Sequence, residues 1–271
     1  MSEAEPPTDL AAYRDLWRAA PAELVARRGI AHRELAGGVC LGCAALSGAP
    51  ILNHVLGAGV AAPAGEAELD AIQGFYDALE VAYSVAIDRD ADGPGPMLER
   101  RGFTSSRPWM TFRRDARTPP PPAPTELTVE EAGAGRAEAF GAVVAAAFDM
   151  PDDFASWMGA LVGRPGWTTL LALDGDRPVG AAALFVRGDA GWLGMGATLP
   201  SARGRGAQGA LFAERLRRVA ALGLREAITE TGAPVEGEAP GPSYRNMLRY
   251  GFEERALRPN FLSPSPENPG A

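Results

Sequence analysis

The chain has 271 residues, enough for two domains that each bury a core of their own. With 46% apolar and 22% charged residues it has the make-up of a globular protein, and no apolar run is long enough to cross a bilayer. A net charge of −8 excludes a general nucleic-acid-binding surface, and because all 26 basic residues are Arg, Schiff-base chemistry and a P-loop lysine are excluded as well.

The N-terminal MSEAEPPTDL is acidic and contains prolines, whereas a secretory signal needs a positive start and an apolar stretch. A cytoplasmic protein without membrane or nucleic-acid partners is therefore expected. The first apolar strand runs from Val39 to Leu46 and holds both cysteines, Cys40 and Cys43, with the two histidines, His32 and His54, on either side. These four side chains are of types that suit tetrahedral zinc, but their spacing matches no usual structural zinc motif. Two small buried thiols and no metal site are expected.

Thr118-Pro119-Pro120-Pro121-Pro122-Ala123-Pro124 forbids helix and central strand and predicts an extended spacer. It divides the chain into residues 1–117 and 126–263, with 118–125 as linker and 264–271 as a loose tail. In the second half a strand is predicted over Leu127 to Ala132, then helices over Arg136 to Phe148 and Asp152 to Val162. Three strands follow, Trp167 to Leu173, Pro178 to Val186 and Trp192 to Leu199, with Asp174-Gly175-Asp176 turning the first into the second. Leu211, Phe212, Leu216, Val219 and Leu222 then recur at helical spacing up to Gly223. A strand over Arg225 to Thr231, a helix over Ser243 to Tyr250 and a last strand from Phe252 complete an α+β half with a mixed sheet flanked by helices.

The two halves share ordered signatures. Leu56-Gly57-Ala58-Gly59 precedes Pro63 as Leu193-Gly194-Met195-Gly196 precedes Pro200, and Met97-Leu98 leads to Gly102-Phe103 as Met247-Leu248 leads to Gly251-Phe252. A duplicated domain is the reading.

Between the third strand of the meander and the next helix lies Arg203-Gly204-Arg205-Gly206-Ala207-Gln208-Gly209. Glycines let the backbone turn its N–H groups inward, the helix start favours an anion, and two arginines add permanent charge, so phosphate is the expected guest. The segment satisfies G-x-G-x-x-G with Glu230 about 20 residues on, as a dinucleotide site would. However, Pro200 and several residues separate it from the strand, and too few elements follow for that fold. An ordinary Gly-rich turn is the remaining alternative.

The segment resembles the motif of the GNAT N-acetyltransferase superfamily, R/Q-x-x-G-x-G/A after the fourth strand. Gln208 stands where Gly or Ala is usual. The resemblance extends from Leu127 to about Ser263 and includes the closing Gly251-Phe252. It implies two tandem GNAT-like domains, the first without a phosphate loop, since Glu66, Glu68 and Asp70 follow Pro63 where the second half has arginines.

For the second half the resemblance implies acetyl-CoA as donor substrate, lying in a splay between the strands Trp192 to Leu199 and Arg225 to Thr231. Ala197, Thr198 and Leu199 would pair with its pantetheine arm, and Arg203, Gly204, Arg205, Gly206, Ala207, Gln208 and Gly209 would hold the pyrophosphate. Of the two arginines, Arg203 is expected at the phosphate. Ser243 and Asn246 resemble helix-start residues that touch the cofactor. The implied activity is acyl-CoA-dependent N-acyl transfer to a small-molecule or peptide amine, with an oligomer compatible; a non-catalytic acyl-CoA-binding module and an acyl-CoA decarboxylase are the alternatives. Glu230 is the expected base, because the fourth strand has no carboxylate. Met247 falls where the family's acidic tyrosine stands, so Tyr244 and Tyr250 are the substitutes. The acceptor is expected beside Asp149, Asp152, Asp153, Phe154 and Trp157.

Overall fold

The computed structural model describes residues 7–49, 52–60, 63–88 and 94–264. Eleven strands form one mixed sheet with helices on both faces. The first half supplies α1 (Thr8–Arg18), α2 (Ala22–Arg28), β1 (Ile30–Leu35), β2 (Gly38–Cys43), β3 (His54–Leu56), α3 (Glu66–Asp77), β4 (Ser84–Ala86), α4 (Gly95–Arg100) and β5 (Thr104–Asp115). The second supplies β6 (Thr128–Glu131), α5 (Ala137–Ala147), α6 (Ala155–Gly159), β7 (Trp167–Asp174), β8 (Arg177–Arg187), β9 (Ala190–Thr198), α7 (Ala207–Ala221), β10 (Glu226–Gly232), α8 (Pro242–Arg249) and β11 (Glu253–Leu262).

The predicted elements of the second half are present, and β7, β8 and β9 form the expected antiparallel meander. The helix expected over Asp152 to Val162 is shorter: a 3-10 turn over Asp152–Phe154 leads into α6, which gives way to turns after Gly159. Alternation along the strands divides the core. Ile228, Trp192 and Ala86 pack under α1, α5 and α6, whereas Ala227 and Phe112 pack under α7 and α8 and Val55 and Val85 under α3.

The halves do not close into separate sheets. The strand order β1-β2-β3-β4-β11-β5-β10-β9-β8-β7-β6 places β11 beside β4 and β5 beside β10, so each half receives the other's last strand. Arg258 lies opposite Trp109 at the centre of the β5–β11 pairing, with bulges to either side. The duplicated Gly-Phe signatures make Trp109 and Arg258 equivalent positions, each seven residues after its Gly, and a local two-fold axis therefore passes between them. Removing residues 1–117 would strip β10 of its partner along Glu226–Gly232 and leave Ile228 and Trp192 without α1. A fragment of residues 118–271 is accordingly expected to be insoluble or molten, as read by the loss of near-ultraviolet circular dichroism and of a cooperative melt.

Cys40 and Cys43 lie three residues apart on β2 and so point to opposite faces, Cys40 among Val55 and Leu69, Cys43 among Leu24 and Ile30. They cannot share a metal ion. Burial pushes the Cys40 thiol up to about 12, so it carries no thiolate at neutral pH.

Candidate functional site

Parallel pairing of β9 with β10 runs from Ala190–Glu226 only to Trp192–Ile228. One further link, Thr229 Oγ1 donating to the Leu193 carbonyl at 2.8 Å, closes the joined part, and beyond it the strands separate. A bulge in β9 contributes to the divergence: Met195 and Gly196 face the single residue Ala182 on β8, and Met195 takes a φ of 54°. The buried Arg215 of α7 reaches the paired residues at one end of this bulge. Its Nη1 donates to Ala183 O at 3.2 Å and to Gly194 O at 3.1 Å, while Nε donates to Leu211 O. Burial without a carboxylate lowers its pKa to about 9. Sequence reasoning missed this residue because an Arg within a run of charged helix residues reads as solvated.

The register corrects the expected set of pantetheine contacts. The Leu199 N–H donates to Val179 O at 2.9 Å, so Leu199 and Ala197, two residues apart, direct their backbone groups to β8. Thr198 and Gly196 direct theirs into the open splay. Of Ala197, Thr198 and Leu199, only Thr198 is free to pair with an added extended chain, and Gly196 joins it.

The splay leads through a 3-10 turn at Pro200–Ala202 into the Arg/Gly segment. Gly204 and Gly206 have φ of 78° and 86°, the left-handed region that glycine enters without strain. A Cβ on Gly206 would lie 2.9 Å from Pro124 O, because the linker packs against this turn and Thr125 Oγ1 donates to Arg205 O at 2.6 Å. Among the described residues, none of the N–H groups from Gly204 to Gly209 donates a hydrogen bond. They meet at the positive end of the 15-residue α7.

The two arginines are not equivalent. Arg205 forms a two-pronged pair with Asp174, at 2.6 and 2.9 Å, and holds that carboxyl down at about 2. Its charge is therefore already matched by the β7–β8 turn. Arg203 is exposed and makes no ion pair among the described residues, which leaves its guanidinium for an incoming anion.

Gln208 projects away from the turn toward α8, where it accepts from the Asn246 amide and donates to Ser243 Oγ at 3.4 Å. Ser243 and Asn246 are thus brought to the first turn of α7. Tyr250 reaches the same place: a Cβ on Gly209 would lie 2.5 Å from its hydroxyl, which makes no hydrogen bond among the described residues. Tyr244 does not. Its hydroxyl donates to Glu254 at 2.6 Å within the core beside Phe112, and burial with that carboxylate raises it to about 12. Met247 is buried in the same core.

Glu230 does not point to solvent. It sits on β10 past the last residue paired with β9, on the α1 face, and its Oε2 receives Arg258 Nη1 at 2.8 Å. Arg258 also binds Asp9 at 2.6 Å and Asp88, so a single guanidinium serves three carboxylates from α1, β10 and the segment after β4. Burial, opposed by Arg258 and reinforced by Asp9, raises the Glu230 carboxyl to about 7. The Tyr13 hydroxyl lies beside it, and the Tyr13 ring packs 5.3 Å from Trp192.

The region expected to receive the acceptor is occupied by structure. Phe154 and Trp157 have no exposed surface, Trp157 Nε1 donates to Leu16 O at 2.7 Å, and Asp153 pairs with Arg28 at 3.0 Å. Asp149 and Asp152 remain on the surface, with Asp149 next in the chain to the exposed ring of Phe148.

In the first half the equivalent features are filled internally. Pairing of β3 with β4 ends at Val55–Val85, and the Asp88 carboxylate beyond it accepts from the Gly57 N–H. At the start of α3, Glu68 accepts from the Gly65 N–H at 2.9 Å, and Arg101 binds Glu66 and Asp70 at 2.6 and 2.7 Å. A diphosphate would meet these carboxylates instead of free N–H groups.

No family model and no curated protein sequence matches the chain. Solved structures do. A tandem GNAT protein from the clavulanic acid biosynthesis pathway, without AcCoA, aligns over 99% of this chain and 90% of its own at 17% identity, TM-score 0.60. A GCN5-related N-acetyltransferase from Kribbella flavida aligns over 92% of this chain and 95% of its own at 20% identity, TM-score 0.59. A third, from Sphaerobacter thermophilus, is 22% identical with a TM-score of 0.58; the match takes in 73% of this chain and only 65% of that one. The chain has the GNAT fold, in two tandem copies. Among the described residues no helix is long and apolar enough to cross a membrane, and no group of three or more His, Cys, Asp or Glu side chains is placed to hold a metal ion.

Proposed function

We propose that this chain is an acyl-CoA-dependent N-acyltransferase, with acetyl-CoA as donor, acting by direct transfer to an amine in the cytoplasm. The observation that carries the reading is that the open β9–β10 splay leads into six N–H groups at the start of α7 that donate no hydrogen bond among the described residues, beside Arg203, which makes no ion pair among them. The diphosphate would lie on Gly204 to Gly209, with Arg203 outside it and Ser243, Asn246 and the Tyr250 hydroxyl along its wall. The pantetheine arm would pair with Gly196 and Thr198, as an added strand pairs with an edge.

Glu230 is the base. As a carboxylate it takes a proton from the acceptor's ammonium group, the freed nitrogen attacks the thioester carbonyl carbon, a C–N bond forms, the C–S bond breaks to release the thiolate, and the second proton of the attacking nitrogen passes to that thiolate or to water, leaving a neutral amide. A thiolate leaves readily near neutral pH because its acid has a pKa of about 8.5, so the mechanism does not need Tyr244.

Thiol release from acetyl-CoA with a panel of primary amines tests the activity. Appearance of free thiol that depends on an amine supports it. Cofactor binding with no turnover on any amine would favour the non-catalytic module, a reading that the buried Met247 and the engaged Tyr244 support. Arg203→Glu is expected to abolish the rise in melting temperature that acetyl-CoA gives, since it replaces the free cation at the turn with an anion. An undiminished rise would remove Arg203 from the site.

A further inference from the structure

The peptide that joins Arg205 to Gly206 lies between two glycines in the left-handed region, Gly204 at φ 78° and Gly206 at φ 86°. Gly206 takes the mirrored conformation without strain, so this peptide unit is free to rotate end over end unless something outside the turn holds it. The rotation matters because the C=O and N–H of a planar trans peptide point in opposite directions. One orientation leaves the Gly206 N–H among the other free N–H groups of the turn. The other would present the Arg205 carbonyl oxygen in its place, and an oxygen repels an anion where an N–H attracts it.

The linker decides between the two. Thr125 Oγ1 accepts from the Leu127 N–H at 3.1 Å and donates to the Arg205 carbonyl at 2.6 Å. A hydroxyl has a single proton, and with the Leu127 N–H on its acceptor side Thr125 gives that proton to Arg205 O. The contact is also steric, since a Cβ on Gly206 would lie 2.9 Å from both Pro124 O and Thr125 Cβ. The rest of the linker delivers Thr125 to this place: Arg114 Nη2 donates to Pro119 O at 2.7 Å, Ala123 packs against the core under α7 and α8, and β6 begins three residues on, beside β7. The Arg205 side chain is tied to Asp174, the last residue of β7. Carbonyl and side chain of Arg205 are thus both fixed by groups outside the turn.

We propose that Thr125 is a positioning residue for the donor: by holding the Arg205 carbonyl it keeps the Gly206 N–H aimed at the diphosphate, which makes the linker between the two halves part of the donor site. The inference rests on the acyl-CoA reading, because that reading puts the diphosphate on this turn. Thr125 touches neither the acyl group nor the amine, so its effect falls on donor binding and not on the transfer step. Valine keeps the branched shape of threonine without the hydroxyl and frees the peptide to turn. Serine keeps the hydroxyl.

The test is calorimetric titration of the full chain with acetyl-CoA, with amine-dependent thiol release measured alongside. Thr125→Val is expected to raise the Kd and KM for acetyl-CoA by about tenfold, the scale of one hydrogen bond to a charged group. Its kcat at saturating donor is expected to stay close to that of the wild type, the pattern of lost binding without lost transition-state contact. Thr125→Ser is expected to restore the Kd. Thr125→Ala, which lacks the hydroxyl and adds no atoms, gives the same comparison if the valine variant does not fold. A chain without the hydroxyl that binds acetyl-CoA as tightly as the wild type, or one whose kcat falls while KM is unchanged, would overturn the proposal. A serine variant as weak as the valine variant would do the same. Failure of the donor reading is separable, because the wild type itself would then bind no acetyl-CoA, which overturns both.

Discussion

Glu230→Gln is expected to lower turnover by about 10²- to 10⁴-fold while acetyl-CoA binding is kept, the range over which a positioned base contributes. The substitution retains shape and one hydrogen-bond acceptor for Arg258 but removes the site that takes the proton. The wild-type pH profile should carry the signature of the same group. With its carboxyl raised to about 7, Glu230 is protonated and inactive below that pH, so log kcat/KM should rise with unit slope and level off above about 7. Besides burial, the groups that set this position are Arg258, Asp9 and Tyr13 on α1, and Asp88. A profile flat across that range, or a Gln variant with full turnover, would remove Glu230 from the chemistry.

The second large effect concerns stability. Arg258→Met leaves Asp9, Asp88 and Glu230 together in the interior without their cation, and removal of one member of such a buried group costs about 3–5 kcal/mol. For a chain of this size that corresponds to a fall in melting temperature of about 10 °C. The loss should depend on pH with a defined sign. In the variant the carboxyls have folded pKa values above their unfolded ones, so the folded state binds protons more tightly, and its stability is fully present below about 4 and lost as pH rises. The gap between wild type and variant therefore widens from acid to neutral pH. The wild type shows a weaker trend in the same direction: Arg258 offsets part of the burial, yet the Asp88 carboxyl is still raised and Glu230 is raised from 4.5 to about 7, so its contribution is lost across that window. A gap independent of pH would mean that Arg258 acts by packing and not by charge.

The meander, the Arg/Gly turn and the helix after it were legible because their signals are local. Alternating apolar runs mark β7 to β9, and glycines at 204 and 206 meet a backbone that needs φ of 78° and 86°. Repeated Gly-Phe signatures disclosed the duplication but not the exchange of β5 and β11, since the two strands would be equally apolar on either side. What sets their position is pairing at the two-fold axis, a relation between residues 109 and 258. The central cluster was hidden for the same reason: Arg258 and Asp9 are 249 positions apart, and neither stands in a motif. His54 was noticed as a possible zinc ligand, whereas the fold turns Cys40 to the other face of the sheet and sets His54 beside Asn260. The expected acceptor region failed differently. Phe154 and Trp157 read as aromatic rings beside carboxylates, but their apolar area goes to the core under α1, where burial is worth more than a surface contact. Leu199 and Ala197 were assigned to the pantetheine because a single sequence does not say which of two adjacent residues directs its N–H to the neighbouring strand.

In the proposed function one half of the molecule holds acyl-CoA on the turn from Arg203 to Gly209, whereas the equivalent turn of the other half is filled by its own carboxylates. Calorimetric titration of the full chain with acetyl-CoA tests both parts at once. One molecule bound per chain, with the binding lost in Arg203→Glu and unchanged in Glu66→Gln, is the predicted result. No heat at millimolar acetyl-CoA, or two molecules per chain, would contradict it.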